Sequence, residues 1–205
     1  ADMHMLTVSE KAIHDLAYCV KRCDLELAGV ASSAYVSGVS SLVEDEQELG
    51  AACIDIGGGT SSVSIFMKKH MIYADTVRLG GDHITRDISM GLQVPMALAE
   101  RIKTMHGGLI ATGMDDRDMI EMGGATGDWE RDRRMVSRAE LIGIIRPRME
   151  EIFEDIRACL DVAGFDHLPT QQIVLTGGGS QIPGIDDLAS RLLGQQVRLG
   201  RPLRI

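Results

Sequence analysis

The spacing of apolar residues changes several times along the chain, and each change marks a predicted element. Apolar residues between Thr7 and Cys23 recur every three or four positions, which predicts a helix that ends near Cys23. Thr7 and Glu10 are spaced as a capping box, so we expect them to begin this helix. The apolar run before it, residues 3–8, predicts a short strand, and residues 32–43 predict a second helix.

From residue 51 the apolar pattern has a period of two, which is typical of strands. A continuous apolar run over residues 51–56 and an alternating stretch over residues 62–66 flank a glycine-rich turn. We therefore predict a hairpin in which Val63 and Ile65 share one face and the intervening residues face the other side. A third strand is predicted over residues 71–79.

Helical spacing returns after the third strand. Gly80, Gly81 and Asp82 are predicted to open a helix with apolar residues at positions 84, 88 and 92. Pro95 is placed to begin the next helix, because proline is favoured in a first helical turn. Residues 107–136 are rich in glycine and charge, so we expect a small irregular sheet with mobile loops there.

The last third of the chain begins with a second capping box, formed by Ser137 and Glu140. It predicts a long helix that ends at Gly164 and is kinked at Pro147. One face of that helix carries Leu141, Ile145, Met149, Ile152, Ile156 and Leu160. A strand over residues 171–176, a glycine loop, a helix over residues 183–194 and a strand over residues 196–200 are predicted to follow.

Alternating strands and helices predict an α/β fold. We expect three blocks: a leading piece over residues 1–49, a β-rich sheet unit built from residues 50–80 and 170–205, and an α/β lobe inserted between them over residues 81–169. The chain starts at Ala1 and ends just after an extended stretch, so we expect it to be a fragment of a longer protein.

Composition narrows the class of protein. With 44% hydrophobic residues the chain can bury a core, and its net charge of −9 disfavours binding to nucleic acid. The acidic run over residues 44–48 is interpreted as a solvated connector. No apolar run approaches the roughly 20 residues of a membrane span. Four cysteines without a C-x-x-C pair predict neither a zinc site nor a disulfide framework. Cys19 and Cys23 are spaced four residues apart on the predicted helix, and we interpret them either as two buried apolar side chains or as a pair that shares a ligand.

Two triple-glycine loops carry the candidate chemistry: CIDIGGGTSSVSIF, which includes Asp55, and VLTGGGSQIPG near the end of the chain. Bare backbone lets amide groups approach an anion closely, which points to phosphate, and the Thr60, Ser61 and Ser62 hydroxyls could add donors. Asp55 is placed to organise water around a divalent cation. The chain has no Gly-Lys of a P-loop, and a strand, not a helix, follows Gly59, which excludes a dinucleotide fingerprint. The alternative is that these glycines only form tight turns.

The stretches DIGGGT, LGGDHITRDI, AERIKTMHG and IVLTGGGSQIPGI resemble, in order and spacing, the second half of the actin-like ATPase superfamily, which has a ribonuclease H-like fold. Within that superfamily, residues 27–50, the stretch IKTMHG and residues 174–202 look like the FtsA family of bacterial cell-division proteins. The resemblance runs nearly end to end and is weakest over residues 107–136.

The resemblance implies ATP and Mg²⁺ as cofactors, with Asp55 on the hydration shell of the metal. A second phosphate loop would be formed by Asp55, Gly57, Gly58, Gly59, Thr60 and Ser61. Gly80, Gly81 and Asp82 would lie beside the ribose, and Glu100 and Lys103 would lie on the helix that borders the base. Gly177, Gly178 and Gly179 would form the adenosine loop. For Glu100 and Lys103 the alternative is a surface ion pair on one helix face.

The departures from the family pattern limit the expected chemistry. The superfamily's first phosphate loop belongs to a half that this chain does not contain, so only half a nucleotide site is expected. Where relatives place a residue that positions the attacking water, this chain offers Ser32, Ser33 and Ser37, and no catalytic residue is assigned. A hydroxyl is a poor base near neutrality, so we expect weak or no ATPase activity.

The resemblance also implies partners. It implies a divisome adaptor for septum formation that assembles as an actin-like filament and receives the FtsZ tail on the inserted lobe, at Arg134 and Arg148. It would lie on the cytoplasmic face of the inner membrane, attached through a C-terminal helix absent here. These two belong to a predicted basic cluster at the start of the long helix: Arg131, Arg133, Arg134, Arg138, Arg146 and Arg148. The alternative for each arginine is solvated pairing with Glu150, Glu151 or Asp132. Other functions left open are a pilus-assembly ATPase, an MreB-like cytoskeletal protein, a sugar kinase and an Hsp70-type ATPase.

Overall fold

The computed structural model describes residues 5–122, 134–168 and 170–202. The helices are α1 (Glu10–Lys21), α2 (Ser33–Ser41), α3 (Glu44–Leu49), α4 (Gly81–Leu92), α5 (Met96–His106), α6 (Arg138–Val162) and α7 (Ile185–Leu193). The strands are β1 (Ala51–Ile56), β2 (Ser61–Met67), β3 (His70–Val77), β4 (Met119–Met122), β5 (Arg134–Ser137), β6 (Gln172–Thr176) and β7 (Gln196–Leu199). Short 3-10 helices cover Phe165–His167 and Gly178–Gln181.

The main sheet has five strands in the order β3-β2-β1-β6-β7. β1, β2 and β3 form an antiparallel meander, as the alternating pattern predicted. β6 pairs in parallel with both β1 and β7. Because β1 and β6 are parallel neighbours, their carboxyl ends lie at the same edge of the sheet. This topology places the two triple-glycine loops side by side.

Each face of the sheet buries its own apolar cluster. On one face Ile54, Val63 and Ile65 pack with the buried side of α6 and with α4 and α7. On the other face Phe66 packs with Leu42, Ala51, Cys53 and Val174. The predicted split of β2 between the two faces is confirmed. All six apolar residues predicted on one face of α6 are buried, and Ser137 accepts a hydrogen bond from the Glu140 amide at 3.2 Å as its N-cap.

Three local predictions are wrong. Residues 5–8 form no strand, because they pair with no strand among the described residues, and residues 3 and 4 lie outside the description. The N-cap of α1 is Ser9 and not Thr7. The acidic run forms the short helix α3, whose Glu46 accepts a hydrogen bond from the Val43 amide at 2.9 Å.

The lobe between β3 and β6 contains α4, α5, α6 and the two-stranded sheet β4-β5. The small sheet predicted within residues 107–136 is thus present in part, and residues 123–133 lie outside the described residues. Within the described ranges, no helix is both long and apolar enough to cross a bilayer.

Candidate functional site

The first glycine loop packs directly against the start of α4. The amides of Gly81 and Asp82 donate to the carbonyls of Gly57 and Gly58, both at 2.9 Å. A Cβ on Gly80 would lie 2.6 Å from the Gly57 carbonyl oxygen, which no real side chain tolerates. Glycine at position 80 is therefore required for α4 to close onto the loop.

The second glycine loop packs against the end of β1. Gly177 has a φ of +86°, which favours glycine, and a Cβ there would lie 2.6 Å from the Ile56 carbonyl oxygen. Gly179 lies against the side chain of Ile56. The loop can follow β1 this closely only because both positions lack side chains.

Both loops line one cavity of about 310 Å³. Gly57 and Gly58 contribute from one side and Gly178 and Gly179 from the other, with Lys103 of α5 also in its wall. A Cβ on Gly178 would meet nothing within 4 Å, so this stretch of backbone borders open space. The structure thus brings the two sequence-predicted loops to a single site.

The first loop offers unused donors. The amides of Gly58, Gly59 and Thr60 donate to no acceptor among the described residues. Successive amides free in a turn form a concave anion-binding arrangement, so this loop fits a phosphate group. The predicted hydroxyl donors fit less well, because Ser61 Oγ donates to the Leu79 carbonyl at 2.8 Å and holds the turn itself.

Lys103 and Glu100 form an ion pair beside the start of α4, with 2.7 Å between Lys103 Nζ and Glu100 Oε2. Lys103 Nζ also donates to the Gly81 carbonyl at 3.0 Å and to Thr85 Oγ1 at 2.8 Å. The ion pair that was the alternative for these residues is therefore present, with the Lys103 side chain 10% exposed and the Glu100 side chain 48% exposed.

Opposing effects act on the pKa of Glu100. Burial raises it, but hydrogen bonds from Lys103 and Thr85 and the charge of Lys103 outweigh burial and hold the pKa below its usual value. The carboxylate of Glu100 is therefore charged at neutral pH.

Asp55 lies beside both loops but does not line the cavity itself. Its Oδ2 accepts a hydrogen bond from Ser37 Oγ of α2 at 2.5 Å, a contact that the sequence did not predict. Its Oδ1 lies next to the backbone of Gly177. Among the described residues, no group of three His, Cys, Asp or Glu side chains is arranged to hold a metal directly.

Other residues of the site were missed from the sequence. Thr104, Gln181, Ile182 and Pro183 also line the cavity, and Thr85 joins Glu100 to Lys103. Gln181 to Pro183 stand within the quoted motif VLTGGGSQIPG, so their proximity to the loop was the available signal. Thr85 and Thr104 likewise stand within the quoted motifs LGGDHITRDI and AERIKTMHG, which gave the same signal.

The two arginines expected to bind a partner lie at the edge of α4. Arg134 Nη1 donates to the Leu92 carbonyl at 2.8 Å. Arg148 makes a two-pronged ion pair with Asp87, through Nε at 2.6 Å and Nη2 at 3.1 Å, and also contacts Glu151. Its hydrogen bond with Asp87 outweighs burial and raises the pKa of Arg148 further.

The rest of the predicted basic cluster is also engaged where the structure describes it. Arg146 pairs with Glu150 at 2.7 Å, and Arg138 lies 3.7 Å from Asp115. Arg131 and Arg133 lie outside the described residues, as does Asp132. Pairing with Glu150 and Glu151, the alternative for this cluster, is therefore observed for Arg146 and Arg148.

The arrangement of strands and loops is shared with solved proteins of known fold. MreB5 of Spiroplasma citri bound to ADP superposes with a TM-score of 0.75 at 20% identity, covering 95% of this chain and 61% of that one. A PilM-PilN type IV pilus biogenesis complex superposes with a TM-score of 0.69 at 17% identity, covering 93% of this chain and 47% of that one. The chain has the actin-like fold, as the sequence predicted.

Sequence comparison identifies the family within this fold. The profile of the family described as Cell division protein FtsA matches residues 52–204. Cell division protein FtsA of Agrobacterium fabrum is 42% identical over 205 residues, which is 100% of this chain and 46% of that protein. The chain belongs to the FtsA family of cell-division proteins. It spans about half the length of the curated relatives it matches.

Proposed function

We propose that this chain supplies one wall of an ATP and Mg²⁺ site in a cell-division adaptor that assembles as a filament and tethers FtsZ. Membership of the FtsA family supports the role in cell division. The observation that carries the nucleotide site is the single cavity bordered by both glycine loops. Tight turns alone, the alternative, would not require both loops to border the same space.

Each part of the cavity has a proposed role. The free amide of Gly58, which lines the cavity, and those of Gly59 and Thr60 in the same turn bind phosphate oxygens. The bare backbone of Gly178 lets the flat nucleoside lie against it. Mg²⁺, when bound with the nucleotide, neutralises phosphate charge. Asp55 accepts hydrogen bonds from water around that ion, since a carboxylate close to phosphates needs a cation between them.

We propose that hydrolysis is slow and that nucleotide binding acts as an assembly switch. The Ser37 hydroxyl already donates to Asp55 at 2.5 Å. A hydroxyl held in this way next to a carboxylate on the sheet is not a free general base for an attacking water. The proposed activity is therefore ATP binding coupled to filament assembly, without rapid turnover of ATP.

The FtsZ tail is proposed to bind the inserted lobe of residues 81–169, next to the sheet unit of residues 50–80 and 170–205. An acidic tail requires cations beside a groove, and Arg134 and Arg148 supply them at the junction of α4 and α6. Because Arg148 is paired with Asp87, the tail must displace or share that carboxylate.

A matched pair of glycine substitutions tests the nucleotide site. Gly178 and Gly143 both have open space where a Cβ would stand, but only Gly178 lines the cavity. Gly178→Val places a branched side chain into the space proposed for the nucleoside. In the full-length protein we expect affinity for a fluorescent ATP analogue to fall at least about tenfold, the effect of roughly 1.4 kcal/mol. Gly143→Val, on α6, should bind as the unmodified chain does. Equal affinity in both variants would refute the proposed site.

A further inference from the structure

Helix α2 contacts the sheet through a row of hydroxyl groups. Its serines at positions 33, 37 and 41 are four residues apart and therefore share one helix face. Each reaches a polar side chain on a different strand: Ser33 Oγ lies 3.3 Å from Ser62 Oγ, Ser37 Oγ lies 2.5 Å from Asp55 Oδ2, and Ser41 Oγ lies 3.5 Å from Thr176 Oγ1. The central contact is the shortest and the only one made to a carboxylate.

The strand residues form a matching row. Asp55 on β1 is the register partner of Ser62 on β2 and of Thr176 on β6. The three residues therefore form a row across these neighbouring strands. Four residues of helix rise about 6 Å, and neighbouring strands are about 4.8 Å apart, so a helix that crosses them obliquely presents one serine to each strand. The row thus follows from helix and sheet geometry together.

A glycine in α2 brings the helix close enough for the central contact. A Cβ on Gly38 would lie 2.7 Å from an atom of the Phe66 ring, so only glycine allows α2 to approach the sheet here. Gly38 is buried and directly follows Ser37. The close approach and the short Ser37 hydrogen bond occur at the same point of the helix.

The Asp55 carboxylate is consequently held by a hydrogen bond at one oxygen and lies close to backbone at the other. Ser37 holds Oδ2, and Oδ1 lies against the backbone of Gly177 at the second glycine loop. We propose that Ser37 is a positioning residue, which orients Asp55 towards the hydrated cation of a bound nucleotide. This inference rests on the proposed nucleotide site. Residues that hold a metal-facing carboxylate by hydrogen bonding fix its direction and so set how well it binds the cation's shell.

The test uses the full-length protein, because this chain supplies one wall of the proposed site. It measures the Mg²⁺ enhancement, defined as the affinity for an ADP analogue with Mg²⁺ divided by the affinity with EDTA. Ser37→Ala leaves Asp55 in place but free to rotate, and alanine favours the helix. We expect the Mg²⁺ enhancement to fall about tenfold, the size of one lost hydrogen bond to a charged group. Affinity in EDTA should stay within about twofold of the unmodified chain, because Ser37 makes no contact with the cavity itself.

Ser33→Ala is the matched control, since it removes a contact of the same row that does not involve Asp55. It should keep the full Mg²⁺ enhancement. An equal loss in Ser33→Ala and Ser37→Ala would show that helix seating, and not Asp55 orientation, is responsible, and would overturn the inference.

Asp55→Asn separates this inference from the proposed function. If Asp55→Asn removes the Mg²⁺ enhancement and Ser37→Ala does not, Ser37 is not a positioning residue although the nucleotide site stands. If the full-length protein binds no nucleotide with or without Mg²⁺, the proposed function is wrong and the inference falls with it. Thermal unfolding of each variant, monitored by circular dichroism, checks that all are folded.

Discussion

Glu46 is a single residue that ties two distant segments together. Its carboxylate accepts hydrogen bonds from Arg198 of β7, at 2.6 Å from Nε and 2.5 Å from Nη2. Arg198 also donates to the Ser41 carbonyl at 2.9 Å, so one guanidinium connects α2, α3 and β7. The Glu46 side chain is only 15% exposed, which sets this pair apart from ordinary surface ion pairs.

This pair predicts a pH-dependent contribution to stability. Burial raises the pKa of Glu46, but the bonds from Arg198 and the Val43 amide and the charge of Arg198 together hold it below its usual value. A lowered folded-state pKa gives stability that is present above the unfolded-state pKa of about 4.3 and is lost as pH falls through the folded-state pKa. Glu46→Gln should therefore lower the free energy of unfolding by about 1–3 kcal/mol at pH 7. The difference from the unmodified chain should shrink below about pH 4.

Urea unfolding at pH 7 and at pH 3.5 measures this effect. Glu44→Gln is the control, because Glu44 lies on the same helix but pairs with Lys69 at the exposed surface, 3.4 Å away. It should change stability by less than about 0.5 kcal/mol at either pH. A pH-independent loss in Glu46→Gln would mean that packing, and not the charge, supplies the stabilisation.

Among single residues, the sequence predicted the glycines of the site but did not predict the polar side-chain contacts. At Gly80 and Gly177 two backbone segments approach too closely for a Cβ. Because only glycine lacks a Cβ, the residue type itself indicates the close approach. The contacts of Ser37 with Asp55 and of Glu46 with Arg198 join positions 18 and 152 residues apart. Periodicity says which side of an element is buried, but it does not say which distant polar groups meet.

At the scale of elements, the junction of α4 and α6 surrounds Arg148, the residue proposed to bind the tail. The helices are bridged by Asp87 of α4, which holds the Arg148 guanidinium at two points. Arg148 and Asp87 are 27% and 19% exposed, so the pair is reachable from solvent. In the proposed binding mode, an acidic peptide would compete with Asp87 for the same guanidinium.

Removing that competitor should strengthen tail binding. For Asp87→Ala we expect affinity for a peptide of the FtsZ C-terminal tail to rise about threefold or more, because the Arg148 fork becomes available to a new carboxylate. Arg148→Ala should lower it. Fluorescence anisotropy of a labelled peptide measures both.

Glu150→Ala is the control for the tail experiment. It frees Arg146, which lies on the same helix and is not assigned to the tail, and it should leave peptide affinity unchanged. If Asp87→Ala weakens binding while remaining folded, Asp87 is part of the receptor rather than a competitor, and the assignment of Arg148 is wrong.

The elements that the sequence predicted best are those with long, regular patterns. α6 repeats its apolar side over many turns, and the β1-β2 hairpin alternates cleanly, so the period alone identifies them. α3 has six residues and no apolar period, and it depends on the Glu46 contacts instead. The strand expected before α1 does not form, because a strand requires a hydrogen-bonded partner strand. A local sequence pattern does not show whether such a partner exists.

Across the whole molecule, the buried residues lie mainly in the five-stranded sheet and the helices packed on it, and α1 contributes none. α6 has eight buried residues and crosses the face of the five-stranded sheet, whereas α1 has none. The apolar side of α1 is correspondingly open, with Leu16 48% exposed. A helix stabilised only by its own hydrogen bonds is marginal at this length, since most helical stability in proteins comes from tertiary packing.

Hydrogen exchange should therefore divide the chain into two stability classes. We expect amides of α1 to exchange at least about a hundredfold faster than those of α6 and β1, because local opening of α1 exposes no core while opening of α6 requires global unfolding. Mass spectrometry of peptides covering residues 10–21 and 141–160 measures the difference, and α7, which buries four residues, is the internal reference for a short packed helix. Equal protection of α1 and α6 in dilute solution would contradict the burial pattern. Protection of α1 that rises with protein concentration would instead show that a second copy covers its apolar side.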